Sequence, residues 1–140
     1  MVFILAFERS HRVLGATATG VIATQDLLDL DAALITFLAQ EETAGEPPIR
    51  GLYDFSKVAA IAVPQTKAAE RGNRSAILRG RRVMVLSRTL ACGIVETFVQ
   101  SQRLAGDNLL SVVDSLDDAH ALLGLNAPHF ELVGWREGNG

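Results

Sequence analysis

The chain has 140 residues, of which 49% are hydrophobic and 21% charged, and this composition predicts one folded domain with a sizeable core. With a formal net charge of only −3 it does not resemble a disordered segment, and its single cysteine excludes an internal disulfide and a multi-cysteine zinc site. No apolar run approaches the roughly 18 residues of a membrane span, and the first residues lack the basic start of a secretory signal. We therefore expect a soluble, cytoplasmic protein.

The first third of the chain predicts a β-hairpin followed by a helix. Residues 2–7 (VFILAF) and 12–20 (RVLGATATG) are typical of strands, and the short polar link between them favours antiparallel pairing. Thr24 is a suitable N-cap with Asp26 in the first turn, and the helix should end near residue 42, before the Gly- and Pro-containing loop 43–48. The apolar face of this helix is formed by Leu27, Leu30, Leu34 and Leu38.

A third strand and a second helix are predicted next. Residues 51–55 (GLYDF) are typical of a strand. Pro64 suits the first position of a helix over residues 64–78, because its missing amide hydrogen would be unpaired there anyway. One face of this helix has small side chains in place of leucines, which predicts close but weakly anchored packing. These small residues are Ala68, Gly72, Ser75 and Ala76.

Residues 82–106 predict a buried strand followed at once by an amphipathic helix. The apolar run 83–86 (VMVL) suits a strand that is covered on both faces. Ser87 is a suitable N-cap for the helix, and Gly106 can adopt the left-handed conformation of a helix C-terminus. The apolar positions that recur near the helical period are Leu90, Ile94, Val95, Phe98 and Val99.

The last third predicts a strand, a helix and a less regular end. The strand covers residues 109–113 and the helix residues 115–123, whereas residues 130–135 (FELVGW) suit either an edge strand or a packed C-terminal arm. The element order ββαβαβαβα predicts an α/β fold, with a mixed, mostly parallel sheet of about five strands, about four helices and an opening hairpin. We expect a single domain over residues 1–125, with residues 126–140 as its C-terminal arm.

Three stretches resemble the SpoIIAA-like family of the STAS superfamily. LACGIVETF, which starts at Leu90, is similar to the pattern that opens the corresponding helix in that family. VVDSLDDAHALLGL resembles its closing strand and helix. Together with the opening hairpin and the strand end YDFSKV, the resemblance covers residues 2–125. It implies a STAS-like fold, related to that of the lipid-carrying CRAL-TRIO proteins, and it concerns fold positions and not catalytic ones.

The chain departs from that family at three places. Anti-sigma-factor antagonists of the family carry a phosphorylatable serine in an Asp-Ser-Ser step, where this chain has Ala-Val-Pro at residues 62–64. We therefore expect no phosphoserine switch, and we interpret Ser56 as a turn or cap residue. Cys92 stands where many relatives have an aromatic residue, and Glu96 where they often have arginine. No role of those two positions in the family is carried over to this chain.

Basic residues are concentrated between residues 57 and 88. This segment has eight basic residues and one acidic residue, a net charge of +7, whereas the rest of the chain has a net charge of −10. The segment is most simply a solvated face, but it could also bind a phosphate, an anionic lipid head group or an acidic partner. Nucleic acid is not expected, because the chain is acidic overall and has few aromatic residues near the segment. The candidate anion-binding residues are Lys67, Arg71, Arg74, Arg79, Arg81, Arg82 and Arg88.

No group of residues marks a catalytic or metal site in the sequence. The three histidines, His11, His120 and His129, lack the close spacing of metal ligands and are interpreted as surface residues. Cys92, near a predicted helix start, is interpreted as a small core residue, and Asp54 as a cap or a surface charge. Neither Gly-rich phosphate motif occurs, so no cofactor is predicted.

Two classes of function stay open, and an enzyme ranks third. The first is a non-enzymatic STAS-like interaction module that acts on an unknown protein partner or pairs with itself as a homodimer. The second is a binder of a small apolar or anionic amphipathic, lipid-like ligand. The second class predicts a pocket lined by Leu90, Ile94 and Phe98, with arginine side chains at its mouth.

Overall fold

The structure is a computed structural model that describes residues 2–42, 45–90 and 93–137. Predictions that fall on the remaining residues, including the interpretation of Cys92, lie outside the described residues. The elements in chain order are β1 (Val2–Glu8), β2 (Val13–Ala23), α1 (Thr24–Glu41), β3 (Arg50–Ala62), α2 (Gln65–Asn73), β4 (Arg82–Val85), α3 (Ile94–Leu104), β5 (Leu110–Val113), α4 (Leu116–Leu123) and β6 (Glu131–Glu137).

The strands form one mixed sheet in the order β5-β4-β3-β2-β1-β6. Strands β2 to β5 run parallel, and β1 lies antiparallel between β2 and β6. Over the described ranges, the predicted class, a mixed, mostly parallel sheet with four helices and an opening hairpin, is confirmed. The additional strand is β6, which pairs with β1 of its own chain, so residues 130–135 follow the edge-strand alternative.

Helices cover both faces of the sheet. Because strand side chains alternate between faces, one set of apolar residues packs under α1 and α3, where Leu30 and Val95 share a core cluster with Leu14. Helix α2 packs beside α3 on this same side. The opposite set packs under α4, where Ala119 clusters with Val83. The helices α1, α2 and α3 therefore form one layer, and α4 forms the other.

Strand β3 is longer than the sequence predicts, because it continues past Phe55 to Ala62. Its pairing with β2 shifts register twice, and each shift inserts one extra residue into β3. These bulges break the alternation that marks a strand in sequence: Ser56 and Lys57 are both exposed, and the next residue, Val58, is buried. The predicted end at Phe55 is therefore wrong.

Helix α2 is shorter than predicted. Pro64 precedes it as the N-cap, and the helix ends at Asn73 because Arg74 has an extended backbone. The segment 74–81 then carries Leu78, which is only 1% exposed, into the core. The guanidinium of Arg82 donates to the backbone carbonyls of Leu78 (2.8 Å) and Gly80 (3.3 Å), and these bonds hold the segment in its irregular path.

Helix α3 begins later than predicted, at Ile94. Ser87 does not cap it; the Leu90 amide donates to the Ser87 carbonyl (3.0 Å) in a separate turn. Gly93 has a φ of +71°, a left-handed conformation that an α-helix does not contain. The apolar period misled the prediction because Leu90 packs on the same core as the helix.

The ends of α1 and α4 depend on polar side chains. Thr24 is the first residue of α1 and not its cap, and the Asp26 carboxylate accepts a hydrogen bond from the Ala23 amide (2.7 Å). Ser115 caps α4, because its hydroxyl accepts from the Asp118 amide (3.1 Å). Gly124 closes α4 in the left-handed conformation.

Candidate ligand-binding cavity

A cavity of about 170 Å³ lies between the sheet and the layer of α1, α2 and α3. Its floor is formed by side chains of β2 to β5, among them Phe55 and Met84. Helix α1 forms one wall, and α2 and α3 form the other. The three helices therefore do not fill the space above the sheet.

The lining of the cavity is mostly apolar, as expected where amphipathic helices face a sheet. The exposed residues of the lining are Arg74 and Ser75, in the segment that follows α2, so the cavity opens to solvent there. The apolar helical side chains of the lining are Leu27, Leu30 and Leu34 of α1, Ala68 of α2, and Ile94, Val95 and Phe98 of α3.

An ion pair joins the two walls of the cavity. Asp31 of α1 accepts a two-pronged hydrogen bond from Arg71 of α2, in which the Nη1 to Oδ2 distance is 2.7 Å. The guanidinium of Arg74 lies 3.6 Å from the same carboxylate. Two cations thus share one anion, and Arg74 is the more exposed of the two, with 57% of its side-chain surface accessible against 22% for Arg71. This corner of the cavity has a net positive charge.

A second ion pair involves Arg82, which lines the cavity from the sheet. Arg82, the first residue of β4, is 3% exposed, and its Nη2 lies 2.7 Å from the Asp107 carboxylate. Burial alone would raise the pKa of Asp107, but the hydrogen bonds from Arg82 and from the Leu109 amide hold that pKa below its ordinary value of 3.8. Because Arg82 also binds two backbone carbonyls, its guanidinium is already occupied within the fold.

Besides the exposed Ser75, two uncharged polar side chains line the cavity. Burial raises the pKa of the Tyr53 hydroxyl to about 12, although the charges of Arg82 and Arg71 oppose this, so the phenol is neutral at physiological pH. Within the described residues this hydroxyl makes no hydrogen bond. Gln102 of α3 is 4% exposed, and its buried Oε1 has no hydrogen-bond partner in the described part of the chain.

The predicted anion-binding residues do not gather at one site. Arg71, Arg74 and Arg82 line the cavity, as described. Lys67 lies 3.4 Å from Glu70 on the outside of α2, and Arg88 lies 3.0 Å from Asp114. Arg79 and Arg81 are exposed in the segment before β4 and do not line the cavity.

Only some of the predicted pocket residues line the cavity. Ile94 and Phe98 line the cavity, on the face of α3 that is turned to the sheet. Leu90 does not line it, and packs on the core from the turn before α3. Arg71, Arg74 and Arg82 belong to the same lining as Ile94 and Phe98, and Arg74 is the exposed one of the three.

Sequence reasoning missed Asp31, Tyr53 and Gln102. A signal existed for two of them. Asp31 follows Leu27 by four positions and precedes Leu34 by three, so a carboxylate falls on the apolar face of α1. Gln102 follows Phe98 by four positions, so a carboxamide falls on the apolar face of α3. A polar residue within an apolar stripe is therefore the mark of this cavity in the sequence.

A group of serine, histidine and glutamate side chains occurs in the β1–β2 turn, but its geometry is structural. Glu8, which is 2% exposed, accepts from the Ser10 amide (2.9 Å) and hydroxyl (2.6 Å), and lies 2.5 Å from His11 Nδ1. The Ser10 hydroxyl also faces Nδ1, whereas a catalytic triad places its nucleophile at the other ring nitrogen. The group closes the hairpin.

The other side chains considered in the sequence have local roles. Asp54 accepts from the amide (3.1 Å) and the hydroxyl (2.6 Å) of Ser56, at a bulge of β3. His120 lies on α4, and His129 is exposed before β6. Among the described residues, no three or more His, Cys, Asp or Glu side chains are grouped so that they could hold a metal ion.

No protein-family model matches the sequence, and no curated protein matches it. None of the helices in the described ranges 2–42, 45–90 and 93–137 is both long enough and apolar enough to span a membrane.

Proposed function

We propose that the chain binds a small amphipathic anion, without turnover, in the cavity between α1 and the pair α2 and α3. The apolar part of the ligand would occupy the cavity, and its anionic group would lie at Arg74. The observation that carries the proposal is the positive corner, where Arg71 and Arg74 share the single carboxylate of Asp31 at the solvent opening. Because one carboxylate neutralises only one of the two guanidinium groups, one positive charge remains to bind the anionic group of a ligand.

The cavity volume restricts the size of the ligand. A cavity of about 150 Å³ in another protein holds one benzene molecule. The cavity here, at about 170 Å³, accordingly fits one aromatic ring or a short acyl chain. A long-chain lipid could bury only its end. We therefore take benzoate and hexanoate as probes, each with an apolar body and a carboxylate.

Binding of these two probes to the purified chain, followed by NMR titration, tests the proposal. We expect saturable shifts in residues of α1 and α3, and neutral benzamide should bind more weakly than benzoate. Arg74→Ala should weaken benzoate binding by about five-fold, since a charge-assisted hydrogen bond at a partly exposed site is worth about 1 kcal/mol. Asp31→Asn should tighten it, because the competing carboxylate is removed.

Arg79→Ala is the matched control. It makes the same charge change as Arg74→Ala, but at an exposed residue that does not line the cavity. Equal losses in the two variants would mean that only overall charge matters, and the proposal would then fail. It would also fail if neither probe produced saturable shifts. The probes should be recovered chemically unchanged.

We further propose that the chain forms a homodimer, as a STAS-like interaction module would. The observation that favours it is an apolar surface at one end of the sheet, on the face opposite α1. Ile4 of β1 is 43% exposed, and Leu132 of β6, on the same face, is 66% exposed. Helix α4 covers the other end of this face, over β4 and β5. A second copy would cover the apolar end.

The family assignment also stays a proposal. The opening hairpin, the element order and the closing strand and helix of the fold agree with the resemblance to SpoIIAA-like proteins. The helix that the LACGIVETF motif is expected to open begins within the motif, at Ile94. A STAS-like fold would suit either of the two proposed activities.

A further inference from the structure

Gln102 is a buried polar group of the cavity that the proposed anion site does not use. It lies on the last turn of α3, it is 4% exposed, and its Oε1 is enclosed without a partner in the described residues. The charged groups of the lining, in contrast, are all engaged in ion pairs. An unpaired carboxamide in an apolar cavity lowers the stability of the fold, so its presence needs an explanation.

We infer that the ligand carries a hydroxyl group that hydrogen-bonds to the carboxamide of Gln102. This inference rests on the proposed function, and it narrows the ligand class to small hydroxylated aromatic or short-chain carboxylates. A hydroxyl group can donate a hydrogen bond to the carboxamide oxygen of Gln102 or accept one from its amino group. The carboxylate of the same ligand lies at Arg74.

The cavity agrees with a ligand that carries its two polar groups close together on one apolar body. Ile94 and Gln102 both line it, and they lie about 12 Å apart along the axis of α3, since a helix rises about 1.5 Å per residue. Gln102 is on the level of Arg82 and Leu110, where β4 and β5 begin. The chain leading to Arg74 passes beside Gln102, since a Cβ at Gly72, two residues before Arg74, would lie 3.2 Å from the backbone amide nitrogen of Gln102. Arg74 lies at the opening to solvent, and the apolar side chains of the lining suit a ring that carries both polar groups.

A panel of ligands and one isosteric variant test the inference. Benzoate and its 2-, 3- and 4-hydroxy derivatives are titrated into the wild type and into Gln102→Leu. In the wild type we expect one hydroxybenzoate to bind about ten-fold more tightly than benzoate, because it pairs a buried group. In Gln102→Leu this preference should disappear, while benzoate binds as tightly as before or more tightly.

Folding of the variant should not obscure the result, because leucine has a similar size and removes an unpaired buried group. Its melting temperature without ligand should equal or exceed that of the wild type. Gln102→Met repeats the test with an unbranched side chain. The inference is overturned if the wild type prefers none of the three isomers over benzoate, or if the preference survives both substitutions.

The two proposals fail in different ways. If benzoate binds and responds to Arg74→Ala, but hydroxylation has no effect, the anion-binding function stands and the role of Gln102 is refuted. If neither benzoate nor any hydroxybenzoate binds, the proposed function itself is refuted, and the inference falls with it.

Discussion

At the scale of single residues, Glu8 shows how a buried carboxylate is kept ionised. Hydrogen bonding from the Ser10 hydroxyl is the largest cause of its low pKa, burial opposes it, and His11 and the Ser10 amide add to it. Together they lower the pKa of Glu8 from 4.5 to about 2. The ionised form is therefore favoured in the folded state relative to the unfolded state.

This shift predicts a stability contribution that depends on pH. As pH falls below 4.5, the unfolded state takes up the proton first, so the contribution is complete above pH 4.5 and is lost towards pH 2. We expect Glu8→Gln to be less stable than the wild type at pH 7, with a difference that narrows from pH 4.5 to pH 3. Urea unfolding at a series of pH values measures it.

Glu42→Gln is the control for that series, because Glu42 is exposed and follows the end of α1. Its unfolding free energy should differ little from that of the wild type at any pH. A Glu8→Gln difference that stayed constant from pH 7 to pH 3 would contradict the assignment of the low pKa to Glu8.

The residues of the candidate site could be predicted only in part. Local patterns in the sequence were enough to predict some lining residues: the concentration of basic residues gave Arg71 and Arg74, and the apolar periodicity gave Ile94 and Phe98. Asp31 was not found, because it lies on α1, forty residues before its partner Arg71, and no local pattern joins them. Such a pairing depends on how α1 and α2 are placed on the sheet.

At the scale of elements, the contact between α2 and α3 depends on Gly72. A Cβ atom at this position would lie 2.5 Å from the Phe98 carbonyl oxygen and 2.6 Å from the Ser101 Cβ. The small-residue face of the helix predicts close packing without naming the partner, and the predicted end of the helix was wrong. The small face allows α2 to approach the backbone of α3.

We expect Gly72→Ala to destabilise the fold. Alanine favours the helix by about 1 kcal/mol over glycine, but overpacking costs about 1–3 kcal/mol. The clash involves backbone and cannot be relieved by a side-chain rotation, so we expect a net loss of up to about 2 kcal/mol in thermal or urea unfolding. Gly134→Ala on β6, where an added Cβ meets nothing within 4 Å, is the control and should change stability by less than about 0.5 kcal/mol. A stabilised Gly72→Ala would refute the close contact.

The order and type of the elements followed from the sequence, but several of their ends did not. Apolar periodicity marks every side chain that reaches the core, whether or not its backbone is helical. Leu90 is packed on the core from an irregular segment and was assigned to a helix for that reason, whereas Leu78, also packed from an irregular segment, was included in a helix that was predicted from Pro64 and small residues. Gly93, with a positive φ, precedes the first residue of α3, and the extended Arg74 follows the last residue of α2, so neither boundary is marked by apolar periodicity.

At the scale of the whole molecule, the fold removes much of the charge separation seen along the chain. Within the basic segment 57–88, Arg71 and Arg74 pair with Asp31, Arg82 with Asp107, and Arg88 with Asp114. Each of these carboxylates comes from outside the segment. The net charge of a sequence segment therefore overstates the basic surface of the folded protein. The excess positive charge that lines the cavity is concentrated at Arg74.

The apolar end of the sheet predicts a homodimer. Ala6 of β1 lies opposite Leu132 of β6, so Leu132 and Ile4 are on the same face, away from the cluster of Phe3 and Leu14 under α1. A two-fold axis beside this surface would bring it against its own copy and bury it in an isologous contact. Sedimentation velocity of the wild type should then give twice the chain mass of 15.0 kDa.

Leu132→Glu should shift the species to 15.0 kDa, because a carboxylate buried without a partner in such an interface is unfavourable. Leu104→Glu is the matched control: Leu104 is 85% exposed at the end of α3, away from β1 and β6, so the same substitution should leave the dimer intact. If the wild type sediments as a monomer at tens of micromolar, or if Leu132→Glu remains a dimer, this surface is not the interface. The cavity and its ligand would be unaffected by either result, because they lie on the other face of the sheet.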